Sequence, residues 1–476
     1  MSIIFGKPCF SLEDFEREME EFLPAPDDIN FLVHFEIDEN NYDGSFGFDW
    51  MRDEYKNSCD NYEELKKEYI PIGNNNVWTP NNEEYFVPWI SVIPNKTIQL
   101  KLKIKLLGDK KLHKNDLIRL PKNDAIHIDL PDSIKKKENG EYIEFKAKDV
   151  EEKKVTLPDT TQIIERFIDI EINCKEINKD MLYSVKDQTG RDIGKLNFFR
   201  NNEILKLDIQ FVKVYADKDY DENKNKLVKD FNFNSIKNRI KDRYNQPLIN
   251  LNFLELREET IDTDKFIENN VAILINGKIK SKGNVFEKFF YNEYYNNFKG
   301  IVILLSTVER HNDLGAGYGA PYPLDVHYLF IPSSSIDISL EYLTTIITHE
   351  IGHILGLYHS GDDIYYMKVL KDIINNYRNI SDNIKEDFRN KIIQLEQQYS
   401  IRTEYYKNVI QAIIEDNRTP NLLKKWLINL KSLCPKFLVR LNSTRNIMEA
   451  TGGENLISFW KWQWEKMRDE VKEFYN

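Results

Sequence analysis

Residues 349–359 read His-Glu-Ile-Gly-His-Ile-Leu-Gly-Leu-Tyr-His, and they constrain the fold more than any other part of the chain. Positions i and i+4 of an α-helix lie on one face, one turn apart, so a helix here lets His349 and His353 aim their imidazoles at one ion. The preceding residues suit a helix, and Asp337 and Ser339 are both suitable N-caps. The motif therefore predicts a helix that presents two histidines from one face.

Gly356 predicts the end of this helix, because glycine readily adopts the left-handed conformation that terminates helices. A turn there can return His359 as a third ligand. Three neutral imidazoles leave a fourth position for water, which is the arrangement of a catalytic Zn²⁺. Glu350 can then take the proton of that water and deliver it to a leaving amine. The alternatives are a structural zinc site, which would want a fourth protein ligand and leave Glu350 without a role, and three histidines in a core.

The complete HExxHxxGxxH motif at 349–359, together with Asn446-Ile-Met-Glu449, resembles the metzincin clan of zinc metallopeptidases. The resemblance implies that Met448 lies in a methionine turn and forms a hydrophobic floor under the metal-binding histidines. It also implies a twisted sheet over an active-site helix. The strand 326–331 would then line the cleft and pair with an extended substrate, although an ordinary sheet strand fits the same residues.

Two features depart from the metzincin pattern. The segment between His359 and Met448 is longer than is usual in the clan, and we expect its residues 362–440 to form a helical insert that frames the cleft, gates it or binds a partner. Ala450 stands where some families carry a tyrosine, so the oxyanion stabiliser is unassigned beyond the zinc. Tyr365 and Tyr366 are near in sequence, but surface or core positions suit them better.

The rest of the chain predicts a multidomain protein in which an N-terminal α+β and β-sandwich-like region precedes an α/β metzincin-like protease domain. Apolar residues alternate with polar ones from Ile98 to Leu106 and again from Leu205 to Phe211, which is the period of half-buried strands. Asn201-Asn202 between two such runs is a hairpin signal. The predicted divisions are a small α+β region at 1–85, β-sandwich-like modules at 86–215, a charged linker at 216–226 and the protease domain at 227–476.

Other candidate metal sites are weaker. Asp217, Asp219 and Asp221 alternate as in a calcium loop, but Glu222 stands where such a loop needs glycine, so a calcium site is not expected. His311 and His327, two further histidines before the motif, are more typical of a hydrogen-bonded scaffold than of a second metal site.

Composition excludes some partners. The chain has 66 Lys and Arg against 78 Asp and Glu, a net charge of −12, which argues against a nucleic-acid-binding protein. No apolar run approaches the roughly 20 residues of a membrane-spanning helix. The N-terminus has no basic start followed by a long apolar stretch, so we expect no Sec-type signal and a protein that is cytoplasmic as synthesised.

The leading hypothesis is a zinc endopeptidase acting on a protein or peptide. A second is that the β modules recognise a partner and the protease unit is accessory or latent. A third is a bacterial effector or toxin, exported by a signal-independent route, because an unrestrained protease endangers its own cytosol. Residues 42–50 are similar to N-terminal regions of bacterial proteins associated with type VI secretion. A secretion apparatus or a cognate inhibitor would then be a partner.

Overall fold

The computed structural model describes residues 29–39, 41–156, 162–217, 233–282, 284–311, 327–332, 339–360, 370–375, 377, 379–398, 402–432, 434–439, 445–449 and 456–475. The chain forms two compact units. The first, here called the β unit, comprises residues 1–42 and 66–202. The second, here called the α/β unit, comprises residues 43–65 and 203–476. The fold is mixed α/β with several sheets, as the sequence predicts at that level.

The β unit contains two sheets that approach each other at a glycine. A Cβ at Gly194 would lie 2.5 Å from the carbonyl oxygen of Val33, so only glycine permits this close approach of backbones. Between Ile98 and Leu106 the strand buries Leu100, as alternate apolar residues predict. One sheet has the order Phe31–Glu36, Lys96–Leu106, Gln162–Cys174 and Ile126–Asp129, with Glu152–Thr156 also paired to Gln162–Cys174. The other has the order Trp89–Ser91, Asp192–Phe198, Met181–Lys186, Leu117–Pro121, Tyr142–Lys146 and Lys137–Glu138, and the short 3₁₀ helices of the unit are Lys67–Tyr69, Pro80–Asn82 and Ala147–Asp149.

The α/β unit is built on a parallel sheet. Its central strand Leu205–Ala216 pairs in parallel with three others, and Ile301–Ser306 is buried throughout. Parallel sheets covered on both faces have such continuously apolar strands. The order is Ile249–Phe253, Leu205–Ala216, Ile301–Ser306 and Tyr328–Pro332, with Arg257–Ile261 also paired to the central strand, and a small sheet is formed by Ala272–Ile275, Lys278–Ser281 and Glu309–Arg310.

Helices cover the sheet and form the C-terminal half of this unit. Between 370 and 439 the apolar faces of three helices share a core that includes Leu370, Phe388 and Tyr405, so the described part of the predicted insert 362–440 is helical. The helices of the unit are Phe233–Tyr244, Thr263–Glu268, Asn284–Tyr294, Leu340–Ile354, Asp382–Glu396, Arg402–Ile414, Asn421–Ser432 and Lys461–Phe474, with the short helices Tyr55–Ser58 and Tyr62–Lys66 in or at the end of the segment 43–65.

The division of the chain differs from the predicted boundaries at 85, 215 and 226. The strand predicted at Leu205 belongs to the α/β unit rather than to a β-sandwich. Residues 205–216 form the central strand of the parallel sheet in that unit. Asn201 and Asn202 do not form a hairpin turn but end the β unit, and the strands on either side lie in different sheets. Most of the predicted linker, residues 218–226, lies outside the described residues.

Residues 43–65 were predicted to belong to the N-terminal region 1–85, but they belong to the α/β unit. Their polar groups form hydrogen bonds with the rest of that unit. The Trp460 indole donates to the Tyr55 hydroxyl at 2.9 Å, and the backbone N–H of Lys461 donates to Asp49 at 2.8 Å. These contacts span about 400 positions of sequence, which local patterns do not reveal. The segment therefore belongs to the fold that holds the histidine motif.

Candidate metal centre

The helix Leu340–Ile354 carries the first two histidines of the motif. The predicted N-cap is confirmed at Ser339, whose hydroxyl accepts a hydrogen bond from the backbone N–H of Tyr342 at 3.2 Å. The helix is anchored by Tyr244, whose buried hydroxyl donates to the carbonyl of Thr348 at 2.8 Å. His349 is therefore preceded by a residue whose backbone position is fixed.

The helix ends at a glycine in the left-handed conformation, as the motif predicts. Gly356 has φ +79°, and its N–H donates to the carbonyl of His353 at 3.0 Å. The next N–H, of Leu357, donates to the carbonyl of Gly352 at 3.0 Å, which completes a Schellman motif. This turn returns the chain so that His359 faces the helix.

The three predicted ligand histidines come together. The Nε2 of His359 lies 3.1 Å from the Nε2 of His349 and 3.0 Å from the Nε2 of His353. Their candidate ligand atoms all lie within 4.8 Å of one another. His353 is buried, whereas the other two are partly exposed, so solvent can reach the group. In the part of the chain that the structure describes, no other His, Cys, Asp or Glu joins it.

Backbone carbonyls set the tautomers of two of these rings. The Nδ1 of His349 lies 2.7 Å from the carbonyl oxygen of Ile447, and the Nδ1 of His353 lies 2.8 Å from that of Leu357. A carbonyl can only accept, so each Nδ1 carries the proton and each Nε2 keeps its lone pair. Both lone pairs face His359, which can donate one Nε2 proton to at most one of them.

The imidazole rings of His349 and His353 are neutral at neutral pH. Desolvation, reinforced by the nearby His359, lowers the pKa of His349 to about 4, although the bond to the Ile447 carbonyl opposes this shift. Desolvation, followed by the neighbouring His349 and His359, lowers the pKa of His353 well below its usual value. Neutral imidazole is the form that binds a metal. The site is therefore ready to bind a cation at neutral pH without first losing protons from these two rings.

The spacing of the nitrogens fits a transition-metal ion. Tetrahedral zinc with Zn–N bonds of about 2.0–2.1 Å places its ligand nitrogens roughly 3.3–3.4 Å apart. The two distances from His359 are a few tenths of an ångström shorter, and a cation among three facing lone pairs would remove their mutual repulsion. The three histidines can thus hold a metal ion, whose identity the geometry alone does not choose.

The turn around Met448 packs against the helix that carries His349 and His353. A Cβ at Gly352 would lie only 2.6 Å from the Met448 sulfur, so the absence of a side chain there admits the methionine against the helix. The carbonyl of Met448 accepts from the N–H of Ser360, the residue after His359, at 2.9 Å. Met448 itself is fully buried. The methionine therefore contacts the helix of His349 and His353 and, through its backbone, the segment of His359.

Glu350 lies next to the first ligand on the same helix and is 8% exposed. Its carboxylate is not a member of the group of ligand atoms. A largely buried glutamate one residue from a candidate metal-binding histidine, and outside the ligand group, is a candidate for accepting a proton from a bound molecule rather than for closing the coordination shell.

The sequence did not indicate the residues that support the turn. Ile447 supplies the carbonyl for His349, and Asn446 and Gln463 form a buried pair of amides behind it. Asn446 could have been found from the preference of asparagine for turns, since it stands two residues before the methionine. Gln463 lies in a run of tryptophans, and no sequence pattern distinguishes this glutamine as a supporting residue.

Among the residues that the structure describes, other predicted positions are not part of the centre. The Nδ1 of His327 lies 2.8 Å from the Tyr475 hydroxyl, and the N–H of His311 donates to the carbonyl of Ser281. The strand predicted at 326–331 is observed as Tyr328–Pro332, buried throughout and parallel to its neighbour. Asp337, Tyr365, Tyr366, Ala450, Asp219, Asp221 and Glu222 lie outside the described residues.

Comparison with known proteins adds no relative. The chain matches no known protein family, and no curated protein matches it significantly. Among the described residues, the helices are too short or too polar to cross a bilayer.

Proposed function

We propose that this chain is a zinc-dependent endopeptidase. The observation that carries the proposal is the convergence of the Nε2 atoms of His349 and His353 within hydrogen-bonding distance of the Nε2 of His359, with His349 and His353 fixed in the metal-binding tautomer. Carbonyl acceptors behind ligand histidines are typical of metal sites, where they orient the ring and raise its basicity. Such a cluster at the end of a helix is suited to an open, catalytic site.

His349, His353 and His359 would hold the ion. Zinc in a three-histidine site supplies Lewis-acid activation of water and of a scissile carbonyl group. The alternative of a closed structural site is disfavoured, because the described residues provide three ligand groups rather than four. The partial exposure of His349 and His359 leaves room for water and substrate on the remaining side.

Glu350 is the proposed general base. It accepts the proton from the attacking water as the new C–O bond forms, and then transfers this proton to the nitrogen of the leaving amine as the peptide C–N bond breaks. The helix places it beside His349, and its burial removes competing water. The oxyanion stabiliser stays unassigned apart from the metal.

The proposed class within the zinc peptidases is the metzincin clan. Three local features support it: the left-handed Gly356 after the second ligand, the contact of Met448 with Gly352, and the hydrogen bond from Ser360 to the methionine carbonyl. They support the proposal that Met448 lies beneath the histidines, as the resemblance implies. The role of the strand Tyr328–Pro332 in binding an extended substrate remains a prediction from the resemblance.

The decisive variant is Glu350→Gln, compared with Glu341→Gln in the first turn of the same helix, whose side chain is exposed. We expect both variants to bind one zinc ion per chain. Glu350→Gln should lower peptide cleavage by at least 10²-fold, because a general base contributes about 10²–10⁴-fold, whereas Glu341→Gln should cleave like the wild type. Undiminished cleavage by Glu350→Gln, or no cleavage by the zinc-loaded wild type across a peptide library, would refute the proposal.

The proposed biological setting is a bacterial effector that is delivered into another cell with its protease latent or inhibited. Its support is the sequence: residues 42–50 are similar to type VI secretion-associated proteins. Expression of wild type and Glu350→Gln in a bacterial host tests it, and equal growth of the two cultures counts against toxicity. The proposal that the β modules dock a partner is tested by a pull-down with the full Glu350→Gln chain.

A further inference from the structure

Two buried amides connect the methionine turn to the last helix. Asn446 is 1% exposed and Gln463 is fully buried. The Nδ2 of Asn446 donates to the Oε1 of Gln463 at 2.8 Å, and the Nε2 of Gln463 donates back to the Oδ1 of Asn446 at 3.3 Å. The same Oε1 accepts the backbone N–H of Trp460 at 2.9 Å. Gln463 therefore fixes Asn446 to the start of the helix Lys461–Phe474.

Asn446 in turn shapes the backbone around the methionine. Its Oδ1 accepts from the N–H of Met448 at 2.9 Å, which is the short-range side-chain bond of an Asx turn. The N–H of Ile447 donates to the carbonyl of Ser458 at 2.8 Å. The side chain of Asn446 and the backbone pairing with Ser458 thus both hold the backbone of residues 446–448.

This turn controls two of the three histidines. The Ile447 carbonyl accepts from the Nδ1 of His349, and the Met448 carbonyl holds Ser360, next to His359. The ring of His353 is oriented differently, because its Nδ1 donates to the carbonyl of Leu357 at its own helix end. A displacement of the turn would therefore act on the ring of His349 and the segment of His359 through their hydrogen bonds.

We propose that Gln463 is a positioning residue for the metal, acting through Asn446 and the Ile447 carbonyl on the ring of His349. The proposal rests on the metal site proposed above. Residues that orient a ligand through hydrogen bonds typically change metal affinity by 10–100-fold when they are replaced. Gln463 does not touch the ion, but the ion's affinity depends on it.

The test is Gln463→Met, which keeps the length of the side chain and removes all three hydrogen bonds. Zinc affinity is measured on the full chain by competition with a chromogenic chelator. We expect the dissociation constant to rise 10–100-fold. The visible spectrum of the Co²⁺-loaded variant should also change, because it reports the geometry of the ligands rather than the stability of the fold.

Gln210→Met is the matched control. Gln210 is 2% exposed, lies in the same unit, and donates to the carbonyls of Phe211 and Glu255. Its replacement should lower thermal stability and leave both the zinc affinity and the Co²⁺ spectrum unchanged. A general loss of stability would instead weaken metal binding in both variants.

A double variant tests the route. If Gln463 acts through Asn446, then Asn446→Ala and Gln463→Met should not multiply their effects on the zinc dissociation constant when combined. If Gln463→Met fails to fold, Asn446→Ser gives the same comparison, because a serine hydroxyl can still accept the N–H of Met448 in a turn and loses the pair of hydrogen bonds with Gln463 without adding a charge.

The outcomes separate the two proposals. A wild-type chain that binds no zinc contradicts the metal site itself. A wild-type chain that binds zinc, with equal affinity and an equal Co²⁺ spectrum in Gln463→Met, contradicts the positioning role alone. Equal losses of affinity in Gln463→Met and Gln210→Met, or multiplicative effects in the double variant, also contradict it.

Discussion

Gly356→Ala is the substitution for which the structure gives the most detailed expectation. The glycine has φ +79°, and a Cβ there would lie 2.8 Å from a carboxylate oxygen of Glu470 and 2.9 Å from its Cγ. Glu470 is buried and accepts a hydrogen bond from Lys466 at 2.7 Å, so it cannot move aside without loss. The substitution therefore combines backbone strain with a steric clash.

Gly277→Ala separates these two contributions. Gly277 has φ +78°, almost the same conformation, and nothing lies within 4 Å of the Cβ position. The left-handed conformation costs an alanine about 1–2 kcal/mol at either site. The clash at Gly356 adds about 1–3 kcal/mol, as overpacking does in cores. We expect Gly356→Ala to lower the free energy of unfolding by about 2–5 kcal/mol and Gly277→Ala by about 1–2 kcal/mol. The difference between the two variants measures the clash, because the change in unfolded-state entropy is the same for both.

Denaturant unfolding of the metal-free chain, with EDTA present, measures these values. Zinc affinity is then measured for each variant, and Gly356→Ala should bind at least about 10-fold more weakly because the turn that returns His359 is displaced. The double variant Gly356→Ala/Glu470→Ala should recover only the steric part of the loss in unfolding free energy. Equal destabilisation by Gly356→Ala and Gly277→Ala, with zinc affinity unchanged in both, would refute this reasoning.

Three further predictions concern the scaffold. Burial, with two nearby lysines, lowers the pKa of His34 from 6.5 to about 3. Between these pH values the unfolded chain takes up a proton at this histidine and the folded chain does not. The free energy of unfolding should therefore fall by up to about 4–5 kcal/mol as the pH drops from about 6.5 towards 3. Urea titrations at several pH values check this, and His34→Phe should flatten that dependence. Asp60 accepts the N–H and hydroxyl of Thr403 and the N–H of Leu438, so Asp60→Ala should cost about 2–3 kcal/mol by chemical denaturation. Tyr244→Phe removes one buried hydrogen bond and should lower the free energy of unfolding by about 1 kcal/mol, with no loss of zinc.

The candidate site was largely predictable because its chemistry lies in eleven consecutive residues. The i, i+4 spacing of His349 and His353 and the glycine at 356 determine a helix and its end through local rules, and the structure has both. His359 follows from the same turn. The prediction for Met448 rests on the metzincin resemblance rather than on spacing, because its contact with Gly352 joins residues far apart in the sequence.

Strand positions were also predictable where periodicity was clear. The alternation from Ile98 to Leu106 predicts a strand there, and the strand Lys96–Leu106 is observed. The assignment of strands to sheets was not predictable, because the period of the apolar residues and the β-propensity of a strand do not indicate which other strand it pairs with. The strand at Leu205 reads like the β-sandwich strands before it, yet it pairs with Ile249–Phe253 and Ile301–Ser306.

The supporting contacts were beyond the reach of sequence patterns for the same reason. A buried amide such as Gln463 has no distinguishing neighbours in sequence, and its partner Asn446 lies 17 positions away. The segment 43–65 looks like a polar, aromatic loop, and only its hydrogen bonds to residues near 460 show which unit it joins.

X-ray absorption spectroscopy at the zinc edge shows whether three imidazoles hold a metal ion in this chain. We expect one zinc ion per wild-type chain, with three imidazole ligands and one oxygen ligand at about 2.0–2.1 Å, and no stoichiometric zinc in a chain with His353→Ala. A wild-type spectrum that requires four protein ligands, fewer than three imidazoles, or no bound metal would contradict this expectation.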